Sequence, residues 1–238
     1  MMLVSLVIPM YNEERIIKAT INSVKEYMDG AFEDYEVIFV NDCSTDGSLA
    51  LAEPLATEKI KILHLDKNGG KGRAIRLGIL AAKGDVIFFT DCDLAYGLDV
   101  IGRGLEYFEN NPDCDVLIGS RTLHPEGREG YTLIRKLASV VYLALLKTYG
   151  GLKTSDSQSS LKAFRSEAAF KIFSLCEENG FSFDFEVLLI AQKLKLKIME
   201  MPVKIINHAD SSVNLARDSV KMFKKVFEIK KSVNKRLP

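Results

Sequence analysis

The chain has no tryptophan, six prolines, three histidines and four cysteines among 238 residues, and each shortage excludes something. Cys43, Cys92, Cys114 and Cys176 include no Cys-x-x-Cys pair, and His64, His124 and His208 do not cluster with them, so no zinc site is expected. Unpaired thiols of this kind fit a reducing cytoplasm. No run of about 18 apolar residues occurs, so no simple membrane-spanning helix is expected. The longest candidate, Leu137 to Leu146, has the length of a buried or interfacial helix. The apolar opening, Met1 to Pro9, breaks at Tyr11-Asn12-Glu13-Glu14, too early for a secretory leader. Net charge is also lacking: 32 lysines and arginines balance 32 aspartates and glutamates, which gives no global argument for a nucleic-acid partner. Internal repeats, linkers and low-complexity runs are absent, and the length suits one large α/β domain or two small ones.

The charge that is there is uneven. From Arg217 onward, eight basic residues face only Asp218 and Glu228, so this tail is net +6 and the remainder net −6. Such a tail reads either as an attachment to an anionic surface such as membrane lipid, or as an ordinary solvated helix face.

Along the chain, apolar strand patterns alternate with helical ones. Val4 to Pro9, Tyr35 to Val40, Ile60 to Leu65 and Asp85 to Thr90 read as buried strands. Helical spacing follows over Glu13 to Met28, after Ser44 or Thr45, and from Gly72 to Ala82, with Gly84 closing the last. Four strand–helix alternations predict an α/β fold with a doubly wound, mostly parallel sheet and helices on both faces. A helix from Asp99 to Asn110 and a strand from Asp115 to Gly119 continue the pattern. The second half is less regular. It offers a mobile loop over Leu123 to Thr132, an apolar helix from Leu133 to Tyr149, a strand at Leu161 to Arg165, a helix from Ser166, and the run Phe181 to Glu186 leading into another helix to Lys195. A strand over Ile198 to Ile206, a polar loop from Asn207 to Asn214 and the basic helix follow.

The chemistry concentrates at strand ends. Tyr11 and Glu13, Asp42, Asp91 and Asp93, and Arg121 each follow an apolar run, and ligands of open α/β sheets bind beyond the carboxyl ends of strands. Carboxylates at the first two ends suit the N–H and O–H donors of a base and ribose. Asp91 and Asp93, spaced i, i+2, suit a hard divalent cation on a diphosphate, or merely cap the next helix. Asn68-Gly69-Gly70-Lys71-Gly72 is either a phosphate-cradling helix start or a glycine turn; its spacing matches neither G-x-x-x-x-G-K-[ST] nor G-x-G-x-x-G. Arg135 and Ser139 share a helix face and, with Arg121, could clamp a phosphate beside apolar surface, although such residues also serve as salt-bridge partners.

These residues match a known pattern. Val4 to Glu14, Val40-Asn41-Asp42-Cys43-Ser44-Thr45-Asp46-Gly47-Ser48, Asn68 to Gly72, Asp91-Cys92-Asp93, Gly119-Ser120-Arg121, Arg135-x-x-x-Ser139, Asp156 to Ser160 and Phe181 to Glu186 occur in order over nearly the whole chain. In this the chain resembles family-2 glycosyltransferases of the GT-A fold, within them the dolichyl-phosphate mannosyl- and glucosyltransferases. The resemblance implies a single catalytic domain, with a nucleotide-sugar half at 1–120, an acceptor half at 121–210 and a basic C-terminal helix at 211–238. It implies that Pro9, Tyr11, Glu13, Val40, Asp42, Asn68, Lys71, Asp91, Cys92 and Asp93 bind the nucleotide sugar, and that Asp91 and Asp93 hold Mg²⁺ or Mn²⁺. Arg121, Arg135 and Ser139 would hold the phosphate of a dolichyl or polyprenyl acceptor, and the loop from Asn207 to Asn214 would close over the donor. Asp91, Asp93, Arg121 and Asp156 would form the catalytic set.

Departures narrow the reading. Ala95 stands where mannosyltransferases of this branch carry a metal-assisting glutamine, Asn41 replaces the commoner first Asp of its pair, Ser159-Ser160 replaces Cys-Gly or Ser-Gly, and the closing loop lacks an arginine. UDP-glucose is therefore the expected donor, with GDP-mannose next. Because a lipid phosphate is already an anion at pH 7, it needs no strong base, and Asp156 is expected to orient the arginine cluster. A soluble saccharide or protein acceptor would instead need a base, with Asp156 or Asp184 the candidates. A non-catalytic nucleotide-sugar-binding protein is the alternative of another class. Pro9-Met10-Tyr11-Asn12 lacks the glycine-rich loop that a sugar nucleotidyltransferase would want. The expected place is cytoplasmic, peripheral at the cytoplasmic face of a membrane, and a homo-oligomer is left open.

Overall fold

The computed structural model of the protein describes residues 2–207 and 215–237, with the side chains of residues 134, 135 and 215–223 outside that description. Strands β1 (Val4–Met10), β2 (Tyr35–Asn41), β3 (Ile60–His64), β4 (Val86–Phe89), β5 (Val116–Ser120), β6 (Lys162–Arg165) and β7 (Ile198–Pro202) form one sheet in the order β3-β2-β1-β4-β6-β5-β7. The helices are α1 (Ile17–Ala31), α2 (Ser48–Ala52), α3 (Lys71–Ala81), α4 (Asp99–Asn110), α5 (Leu133–Leu145), α6 (Ser166–Phe173), α7 (Phe183–Lys193) and α8 (Leu215–Arg236).

Strands buried on both faces read as continuous apolar runs because successive side chains enter opposite layers. In β1, Val7 joins Ile38, Val40, Phe89 and Phe164 in the layer under α3, α6 and α7. Leu6, Ile8 and Met10 join Phe39, Phe88 and Leu117 in the layer that α1 and α4 cover. Each fully buried side chain of this kind contributes about 1.5–3 kcal/mol.

The expected mostly parallel α/β sheet is present, with one inversion. β6 runs antiparallel to both β4 and β5, pairing Lys162 with Phe89 and with Ile118. Two reversals restore the original direction, so β1, β2, β4 and β5 all point their carboxyl ends to one edge, where the amino end of β6 also lies. Other boundaries move as well. α1 starts at Ile17 rather than Glu13, because the Glu13 carbonyl accepts the amides of Ile16 and Ile17 and closes a turn first. The helix expected to run to Tyr149 passes at Leu146–Gly150 into a π-helical turn ended by Gly151 in the left-handed region. β7 stops at Pro202, opposite Ser120, the last residue of β5. The segment expected to be a mobile loop, Leu123 to Thr132, holds hydrogen-bonded turns from Gly127 to His124 and from Glu129 to Glu126. Among the described residues, no helix is long and apolar enough to cross a membrane.

Candidate active site

The carboxyl ends of β1, β2 and β4 turn abruptly, and each turn places one non-glycine residue in the left-handed region: Asn12 (φ 56°), Cys43 (φ 58°) and Leu94 (φ 49°). Such conformations persist only where surrounding bonds enforce them. Here they do. Asn12 Oδ1 accepts Thr45 N at 2.8 Å, Ser44 Oγ accepts Asn12 N at 3.0 Å, and Ser48 Oγ accepts Glu13 N at 2.7 Å. The first two strand ends are thereby stitched together, with Tyr11 exposed beside them.

Asp42, expected to meet the nucleotide, is engaged within the chain in this structure. Its two carboxylate oxygens accept Gly69 N at 2.6 Å and Gly70 N at 2.8 Å, and its carbonyl accepts Asn68 Nδ2 at 3.2 Å. The amides that could have cradled a phosphate therefore face Asp42. Gly72 N continues the pattern by donating to Asn179 O at 2.8 Å. The glycines are needed for this approach. Gly70 sits at φ 89°, and a Cβ on Gly72 would lie 2.6 Å from Glu178 O and 2.7 Å from the Phe183 side chain. Val40 and Cys92 bury their side chains in the two apolar layers, so each offers a ligand only its main chain. Pro9 is half-buried at the end of β1.

The β4 end carries the acidic pole. Asp93 accepts Ala95 N at 3.1 Å, and Lys71, the first residue of α3, pairs with Asp91 at 2.5 Å. Glu13 is pushed up to about 6, first by burial and then by Asp93, Asp91 and Asp46. Asp93 is also raised, by burial and then by Asp91. Among the described residues neither Glu13 nor Asp93 has an ion-pair partner. Oxygen ligands with surplus negative charge fit a hard divalent cation. No group of three or more metal-binding side chains forms among the described residues, so diphosphate and water oxygens would have to complete the shell. Asn207 ties the following segment to this turn, donating to Leu94 O at 3.0 Å and Asp93 O at 3.3 Å. The rest of the expected closing loop, 208–214, lies outside the described residues.

The basic pole stands at the end of β5. Arg121 is a forked partner of Asp156, with Nε to Oδ2 at 2.7 Å and NH2 to Oδ1 at 2.8 Å, and its NH1 donates to Tyr131 Oη at 2.8 Å. Burial works against the Asp156 carboxylate, but Arg121 holds it below its ordinary range. Because β6 separates β4 from β5, the strands that lead into the two poles stand two spacings apart, about 10 Å. Ser139 lies half-buried on α5; the side chain of Arg135, on the same helix, is outside the description.

Several supporting residues carried no sequence signal. Tyr131 and Tyr96 stand beside Arg121. Glu200 accepts Ser155 N at 2.8 Å, which fixes the residue before Asp156. Lys162 is fully buried, donating to Asp184 Oδ1 at 2.5 Å and Ser159 O at 2.6 Å. That pairing removes Asp184 from the candidates for a free base.

Comparison with known proteins bears on the family and the fold. A profile described as "Glycosyl transferase family 2" matches residues 5–173. The human dolichyl-phosphate beta-glucosyltransferase is 32% identical over 214 residues, covering 84% of this chain and 66% of that protein. Glycosyltransferase AglD of Haloferax volcanii is 30% identical over 223 residues, and the match covers 92% of this chain but 35% of AglD. The chain thus spans from about a third to about two thirds of the length of these curated relatives. Among solved structures, glucosyl-3-phosphoglycerate synthase from Mycobacterium tuberculosis, in complex with Mn²⁺, UDP-glucose and phosphoglyceric acid, superposes with a TM-score of 0.71 at 20% identity. That superposition covers 96% of this chain and 78% of that one, and shows a shared GT-A fold. With the profile spanning well over half of the sequence, the chain belongs to glycosyl transferase family 2.

Proposed function

We propose that the chain transfers a hexose, with inversion, from a nucleotide sugar to dolichyl or polyprenyl phosphate, UDP-glucose being the favoured donor and GDP-mannose the next. The observation that carries this reading is the pair of opposite charge poles on one sheet edge, at the ends of strands with only β6 between them. The acidic pole at Glu13, Asp91 and Asp93 suits a cation-bound diphosphate, and the Arg121 pole suits an anionic acceptor. The names of the dolichyl-phosphate glucosyltransferase relatives and the Mn²⁺- and UDP-glucose-bound structure support the choice of acceptor, donor and metal.

The lipid part rests on α5. Leu133 is 83% exposed, Leu137 67%, Val140 53% and Val141 48%, and their i, i+4, i+7, i+8 spacing gathers them on one face. This face begins two residues after Tyr131, which touches Arg121. An anionic headgroup at Arg121 and an isoprenoid chain along α5 would therefore meet a membrane surface peripherally, on the cytoplasmic side.

In the reaction, an acceptor phosphate oxygen attacks the anomeric carbon while the bond from that carbon to the diphosphate oxygen breaks, turning an α-linked donor into a β-linked product. Arg121 has three of its five N–H donors on Asp156 and Tyr131, and the other two can hold the attacking phosphate. Asp156 fixes the guanidinium plane. Mg²⁺ or Mn²⁺ on Asp91 and Asp93 would supply positive charge against the leaving diphosphate, an effect worth several kcal/mol.

The test is a donor screen with Mn²⁺ and radiolabelled UDP-glucose, GDP-mannose or UDP-N-acetylglucosamine, in detergent with polyprenyl phosphate. Label entering the organic phase from one donor is the expected result. Release of free sugar without lipid labelling would overturn the acceptor and point to a soluble one.

A further inference from the structure

Lys71 occupies an unfavourable place for a cation. It is the first residue of α3, whose N-terminus carries partial positive charge; the Asp42 carboxylate is engaged by the amides of Gly69 and Gly70 just before it, and no acidic residue lies in the first turn among the described residues. Its side chain is also only 20% exposed, so water does little to offset that cost. What holds the ammonium there is Asp91, 2.5 Å away, with Asp184 and Asp93 as the further acids facing it. Asp184 already has its own partner in Lys162, which leaves Asp91 as the principal anchor.

This geometry conflicts with a divalent ion. A cation bound by Asp91 and Asp93 would meet the Lys71 ammonium on the same carboxylate, where like charges repel strongly. The lysine has to leave Asp91 when the ion arrives. An incoming diphosphate gives it somewhere to go, because it brings several negative charges to the same strand end.

We propose that Lys71 is a resident stand-in for the divalent cation, a positioning residue that holds Asp91 in the unliganded protein and makes metal binding depend on the nucleotide diphosphate. Metal alone competes with the lysine and binds weakly. Diphosphate draws the lysine off, and metal then binds tightly. By linkage, the factor by which diphosphate tightens metal binding is the factor by which metal tightens diphosphate binding. The inference rests on the proposed cation site at Asp91 and Asp93, and deepens it by assigning an order of binding.

The experiment measures Mn²⁺ binding to the whole chain by the loss of the free-ion electron paramagnetic resonance signal, with and without UDP. It compares wild type, Lys71→Met, and an Asp91→Asn/Asp93→Asn control. Lys71→Met leaves the Lys162–Asp184 pair intact; Lys71→Gln serves as a second, polar replacement, and circular dichroism verifies the fold of each. Both Lys71 variants should bind Mn²⁺ without nucleotide about tenfold more tightly than wild type, equivalent to about 1.4 kcal/mol. They should also show a smaller gain on adding UDP. Folded Lys71 variants that bind Mn²⁺ alone no more tightly than wild type would overturn the inference and leave the cation site standing. Wild type that binds no more Mn²⁺ with UDP than the double-Asn control would instead overturn the cation site, and the inference with it.

Discussion

Replacing Asp156 by asparagine tests the basic pole most directly. Asp156 is 3% exposed and accepts four hydrogen bonds, from Arg121 N (3.1 Å), Nε (2.7 Å) and NH2 (2.8 Å) and from Gln158 N (3.1 Å). Asparagine keeps the shape but removes the charge, and turns an NH₂ group toward a guanidinium that has only donors. Breaking a buried pair from one side costs about 3–5 kcal/mol, and a near-isostere belongs at the lower end, about 3 kcal/mol. For a chain of this length that is about a 6–12 °C fall in Tm. The pH dependence follows from the depressed folded-state pKa of Asp156. Its contribution is complete above the unfolded value near 4 and is lost as pH falls through the lower folded value. Calorimetry should therefore show the full gap between wild type and Asp156→Asn at pH 7, closing below about pH 4. A gap under about 2 °C at pH 7, or one unchanged at pH 3, would refute the argument. The same variant separates positioning from base catalysis. An essential ionisation in the pH–rate profile that disappears in Asp156→Asn while acceptor binding persists would make Asp156 a base.

Glu13, with a folded pKa of about 6, keeps its proton over a range where the unfolded chain releases it, so the folded state loses stability as pH rises through that range. Glu13→Gln should be more stable than wild type above pH 6 and equal to it below about pH 4.5, as read from Tm against pH. Lys162→Met strands Asp184 in the core and should cost about 3–5 kcal/mol in urea unfolding, whereas Lys162→Met/Asp184→Leu should regain most of it. No recovery in the double variant would mean that the pair stabilises the fold beyond its own charges. Gly72→Ala forces a methyl against Glu178 O and Phe183 and should cost about 1–3 kcal/mol, measured the same way.

What was legible in the sequence were the features that depend on neighbours along the chain. β4 is a run of apolar residues closed by two acids, and the acidic pole stands where that run ends. The direction of β6 was not legible, since four residues carry no mark of which way they enter a sheet and long-range pairing decides it. Lys162 breaks the apolar pattern it sits in; only the tertiary approach of Asp184 makes its burial tolerable. Asp42 shows the same limit in a functional residue. Its position at a strand end was plain, but the amides it holds come from a glycine loop 27 and 28 residues onward. The cap of α3 by Asn179 is more distant still, and nothing near either residue announces it.

The inverted strand has a consequence for how the polypeptide is made. Among the described residues β5 pairs only with β6 and β7, both later in the chain, and the edge of β4 away from β1 is closed only by β6. A nascent chain emerging N-terminus first therefore displays an open β4 edge and the unpaired apolar segment Val116-Leu117-Ile118 until Arg165 has cleared the ribosome. Exposed edges of this kind invite pairing with other chains, so translation between β5 and β6 is the interval in which this protein most needs a chaperone.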